Sequence, residues 1–76
     1  MSGTDAEVIE YTVAPGSAIT SAPLKEIDFP RNAIIGGVIR GSEAFIAVGS
    51  TVIEAYDRVA IFALPETIKE IDRFFK

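Results

Sequence analysis

The chain has no cysteine and no histidine among its 76 residues. The first absence excludes a disulfide framework and thiolate chemistry, and the second removes the side chain that most often ligates metal or shuttles protons near neutrality. No nucleophile and base pair can be built from those residues. Ser17, Ser21, Ser42 and Ser50 also lack an activating neighbour at a recognisable spacing, so the sequence does not read as an enzyme. Basic residues are few, 7 Lys and Arg against 11 Asp and Glu, giving a net charge of −4. They are scattered as well, so nucleic acid and anionic membrane surfaces find no basic patch to act on. Long apolar runs are missing. The longest, Ala33 to Ile39 and Val59 to Leu64, fall far short of the roughly 20 residues that cross a bilayer. Met1 to Glu7 is small, polar and acidic, unlike a secretory signal, and reads as a flexible leader over residues 1–7. A reducing, cytoplasmic setting fits these absences.

The carboxylates follow no calcium-loop spacing and read as a solvated surface, so no metal is expected. Gly36, Gly37 and Gly41 do not follow the dinucleotide spacing either, and no cofactor is expected.

What is present is a globular pattern. Apolar residues make up 49% of the chain, and 76 residues suffice for one small domain. Ile9, Tyr11 and Val13 alternate with Val8, Glu10 and Thr12, which predicts a strand over residues 8–13 closed by Pro15 and Gly16. Thr20, Ser21 and Pro23 supply helix-start chemistry ahead of Leu24 to Ile27, a helix of two turns at most. Asp28 to Asn32 is a turn. A strand follows over residues 33–40, and Gly41 with Ser42 suits a two-residue hairpin whose first position needs a positive φ, pairing residues 43–48 with it. Gly36 and Gly37 inside the first arm point to a bulge or a close backbone approach. Tyr56 and Asp57 mark a turn into a strand over residues 58–64. Pro65 then opens a helix on which Ile68, Ile71, Phe74 and Phe75 recur with Leu64 at spacings of three and four. The expected fold is α+β, a small mixed or antiparallel sheet of about four strands with a short helix after the first and an amphipathic helix at the end.

The later strands are apolar on both faces. Strict alternation puts Ile34 and Val38 on one face and Ile35 and Ile39 on the other, and divides Val59 and Ile61 from Phe62 and Leu64 in the same way. The helices suffice for one face, so the other is expected to meet a second copy or a neighbouring domain. Four polar positions draw interest. Arg40 ends an apolar strand, where its guanidinium either reaches a phosphate or partner carboxylate or is a strand-end charge beside a turn. Arg31 and Asn32 lie on a loop, as binding groups or as turn formers. Asp57 reads as a structural turn residue bonding local backbone.

In order and spacing, Pro15, Gly16 and Ser17, then Pro23 to Ile27, Ala33 to Gly41, Thr51 to Ala55 followed by Asp57, Arg58 and Val59, and the closing helix resemble the TrkA C-terminal domain. This family is also called the RCK C-terminal domain, of bacterial potassium transport and channel regulators, and the resemblance covers Val13 to Phe75. It implies a dimeric regulatory domain that senses a nucleotide, a cyclic dinucleotide or another small molecule. The implied partner is a membrane ion channel or transporter subunit, and the implied location is the inner face of the membrane. Arg31, Asn32 and Arg40 would then be ligand-binding, and Gly41, Tyr56 and Asp57 structural turn residues. The alternative is a pure dimerisation or docking module with no small-molecule ligand. Two departures stand out. Tyr56 replaces the usual Gly before Asp57, which predicts a bulkier or reshaped corner. Some relatives bind cyclic di-AMP through an Asp, Arg and Asn motif, which Asp28, Arg31 and Asn32 match only in part.

Overall fold

The computed structural model describes residues 6–76. It contains four strands, β1 (Glu7–Thr12), β2 (Ala33–Arg40), β3 (Glu43–Ile46) and β4 (Arg58–Ala63), and a closing helix, α1 (Ile68–Phe75). The strands form one sheet in the order β1-β4-β2-β3, and every neighbouring pair is antiparallel. Residues 1–5 of the expected leader lie outside the described residues, and Glu7 already belongs to β1.

Where the glycines stand inside β2, the sheet carries a bulge. The register with β4 passes from Ile35 opposite Ile61 to Gly37 opposite Ala60, leaving Gly36 without a partner. One extra residue inverts the alternation beyond it. Ile34 and Val38 therefore do not share a face as strict alternation requires. Val38 is buried and Ile34 stands on the opposite, open face at 65% exposure.

Core-facing positions are Ile9 and Tyr11 on β1, Ile35 and Val38 on β2, Phe45 on β3, and Val59, Ile61 and Ala63 on β4. Ile19, Ile53 and, from α1, Ile71 and Phe75 complete that core. Each fully buried Val, Ile or Phe among them contributes about 1.5–3 kcal/mol by leaving water, which explains why a short helix suffices once its apolar stripe is seated. Tyr11 fastens α1 to the sheet. Its ring stacks on Phe75 with centroids 4.7 Å apart, and its hydroxyl donates to Asp72. Burial, the bond to Asp72 and that carboxylate's charge push the Tyr11 hydroxyl up to about 12.

The expected strand over residues 43–48 ends at Ile46, and both expected helices change for identifiable reasons. The short helix is two single 3-10 turns, Ala18–Thr20 and Leu24–Glu26, separated by Pro23, which has no N–H to continue a ladder. Leu24 and Lys25 donate their N–H groups to the Thr51 and Gly49 carbonyls instead, both at 2.9 Å. The closing helix begins with a 3-10 turn at Pro65–Thr67 before α1, and the Thr67 hydroxyl donates to the Leu64 carbonyl at 2.8 Å.

Candidate functional site

At the C-terminal end of β2 the chain reverses through Gly41, whose φ is 61°. Arg40 is thereby set opposite Glu43 and turned toward the loop that enters β4. Its Nε donates to Asp57 Oδ1 at 2.9 Å and its Nη2 to Asp57 Oδ2 at 2.8 Å, a fork-on-carboxylate geometry that fixes both groups. Nη2 also donates to the Val52 carbonyl at 3.0 Å, Nη1 lies 3.2 Å from Glu54 Oε2, and the guanidinium sits 5.1 Å over the Phe45 ring. Asp57 is 1% exposed and accepts a further bond from the Glu54 N–H at 2.8 Å. Burial works to raise the Asp57 pKa. The Arg40 bond, the Glu54 N–H and the Arg40 charge outweigh it and hold the carboxyl below its usual range. The bond to Asp57 likewise keeps Arg40 firmly protonated.

Between Glu54 and Asp57 the tight turn is kept despite the side chain. Tyr56 takes a φ of 70°, in the left-handed region that favours glycine, while its N–H donates to the Val13 carbonyl at 2.8 Å, so the corner carries the bulkier residue in a glycine-like conformation. The side chain itself is exposed.

The other end of β2 differs. Arg31 and Asn32, with Ala6, Ile34, Phe62 and Leu64, line a recess of about 210 Å³ at the margin of the open sheet face. Among the described residues Arg31 forms no ion pair. From Asn32 to Arg40 the chain takes eight steps along β2, about 26 Å at roughly 3.3 Å per residue. Arg31 and Asn32 thus share one site, and Arg40 belongs to another.

Beside the recess, Phe62 stands between Val8 and Ile34 in the register, and all three are exposed on the open face. Further along that face Arg58 Nη1 lies 3.3 Å from Glu10 Oε2. The sequence did not single out Glu54 or Phe45 as partners of Arg40. A hairpin through Gly41 and Ser42 does put Phe45 diagonal to Arg40, a signal available from spacing.

An antiparallel four-stranded sheet closed by a C-terminal helix is the architecture of RCK domains. A solved structure described as "Structure of RCK domain with cda" matches with a TM-score of 0.77 and 19% identity, over 91% of this chain and 97% of that one. The TrkA-C domain family matches residues 8–76, and the chain belongs to it. Relatives include "Trk system potassium uptake protein TrkA homolog 1" of Methanosarcina mazei, 39% identical over 97% of this chain. The similarly named proteins of Azorhizobium caulinodans and Archaeoglobus fulgidus are each 36% identical, over 92% and 91% of it. The chain spans only 15–16% of the length of these three relatives. Among the described residues no helix is long and apolar enough to cross a membrane.

Proposed function

We propose that this domain is a regulatory, non-catalytic module of a potassium uptake system, acting as a homodimer whose arrangement responds to a small anionic ligand. The observation that carries the reading is the pairing of an exposed apolar face, Val8, Phe62 and Ile34, with the adjoining recess that holds Arg31, which forms no ion pair among the described residues. Potassium uptake is drawn from the names of the relatives, and to it the proposal adds a membrane transport partner and a cytoplasmic position at the inner membrane face. An apolar face in water favours a second copy, and a cation at its margin favours an anion bound near the contact. A nucleotide or cyclic dinucleotide has the required charge. Such a ligand regulates only if it binds one dimer arrangement more tightly than another.

The test is a thermal-shift screen of the domain against nucleotides, cyclic dinucleotides and potassium salts, with sedimentation equilibrium alongside. A ligand at about 100 times its Kd adds roughly 2.7 kcal/mol of stability. An Arg31→Ala variant should lose that gain. A monomer at high micromolar concentration with a flat screen would sink the reading.

The alternative of a docking module without a ligand draws on one observation. Arg40, a cation expected to be available, is committed to Asp57, Glu54 and the Val52 carbonyl. A dimer with no response in the screen supports that alternative.

A further inference from the structure

The outer edge of β2 is only partly covered. Asn32 offers its carbonyl to the Leu64 N–H at 2.9 Å, so residue 32 faces β4. Partners alternate along an antiparallel ladder, and with Ala33 opposite Ala63 and Ile35 opposite Ile61, the N–H and C=O groups of Ala33 and Ile35 point the other way. On that outer side β3 pairs only with Gly37 to Arg40, and the last bond is Ala47 N–H to the Gly36 carbonyl at 3.1 Å.

The chain then turns away. Val48 donates its N–H to Thr51 Oγ1, Thr51 donates its N–H to the Val48 carbonyl, and Gly49 and Thr51 accept from Lys25 and Leu24. Among the described residues nothing bonds the outward groups of Ala33 and Ile35. In their place lies an open groove of about 330 Å³, walled by Leu24, Lys25, Phe29, Ala47 and Val48.

We propose that this groove is a strand-docking site, where an extended peptide with a carboxylate beside β-branched residues adds to the sheet along Ala33 and Ile35. Four main-chain groups on alternate residues repeat with the period of an extended backbone, a match that a compact small molecule does not offer. An added strand would lie about 4.8 Å from β2, within the groove. The apolar wall suits β-branched side chains. Lys25, which forms no ion pair among the described residues, supplies a cation for the carboxylate, and its N–H bond to the Gly49 carbonyl at 2.9 Å holds its backbone at the groove wall. This proposal stands on the strand edge alone and does not rest on ligand sensing.

The probe is a capped synthetic peptide with the sequence of residues 7–12, in which Glu7 and Glu10 flank the β-branched Val8 and Ile9, followed by amide exchange of the full chain. In the free chain the Ala33 and Ile35 amides should exchange far faster than that of Val38. The peptide should bind with a Kd below about 1 mM and slow both amides by about tenfold. A version N-methylated at alternate residues should not bind, and Lys25→Glu should weaken binding at least about fivefold. The proposal is overturned by slow amides in the free chain, by protection that appears only with rising protein concentration, by absent binding, or by equal binding of the N-methylated peptide. Protection of both amides by a cyclic dinucleotide in place of the peptide would also overturn it.

Discussion

The two ends of β2 each carry an arginine, and they are opposites. At Arg40 nearly every donor is used, by a buried carboxylate, a second carboxylate and a carbonyl, and an aromatic ring fills the space beneath. At Arg31 the guanidinium has no charged partner among the described residues, and the space beside it is an open recess. A satisfied cation in a half-buried setting holds the fold, whereas one without a charged partner among the described residues, beside apolar surface, is where the proposed recognition would fall. The same residue type thus meets two surroundings according to what the topology brings to it.

The contrast breaks most sharply at Asp57. Asp57→Ala removes the partner of Arg40 and of the Glu54 N–H together, and the cost of breaking such a buried pair is about 3–5 kcal/mol. Urea denaturation should show that loss. Acid probes the same pair without mutation. Because the folded pKa of Asp57 is lowered, its contribution is fully present above the ordinary aspartate value, about 3.9, and is lost as pH falls through the folded value. Urea midpoints between pH 5 and pH 2 should fall more steeply for the native chain than for Asp57→Ala.

Smaller effects sharpen the open side. Phe62→Glu puts a charge in the centre of the exposed apolar row, and sedimentation equilibrium should show the proposed dimer weakened by at least about tenfold, with monomer stability changed by less than about 1 kcal/mol. Tyr56→Gly relieves a left-handed backbone worth about 1–2 kcal/mol but gives back about 0.5–1 kcal/mol of chain entropy. The urea midpoint should therefore rise by the equivalent of roughly 0.5–1 kcal/mol.

Much of this fold was legible because local chemistry and global packing agree. The β-branched runs place the strands, Gly41 and Ser42 place the hairpin, and the spacing of Ile68, Ile71 and Phe75 places the helix stripe. Gly36 and Gly37 flagged the bulge. Its consequence was hidden, because which side chains change face depends on the register with β4, a strand more than twenty residues away. The ion pair was hidden for the same reason. Arg40 and Asp57 are 17 residues apart, and only the sheet brings one to the other. Arg31 and Asn32 read more readily as turn formers, since the recess beside them is built by Phe62 and Leu64 from β4 and the residue after it.

The central claim is that Arg40 belongs to the fold and Arg31 does not, and parallel urea denaturation of Arg40→Ala and Arg31→Ala tests it most directly. Arg40→Ala leaves Asp57 buried without its counter-charge and should cost about 3 kcal/mol or more, while Arg31→Ala should stay within about 0.5 kcal/mol of the native chain. Equal losses in the two variants, or a larger loss at Arg31, would contradict the account.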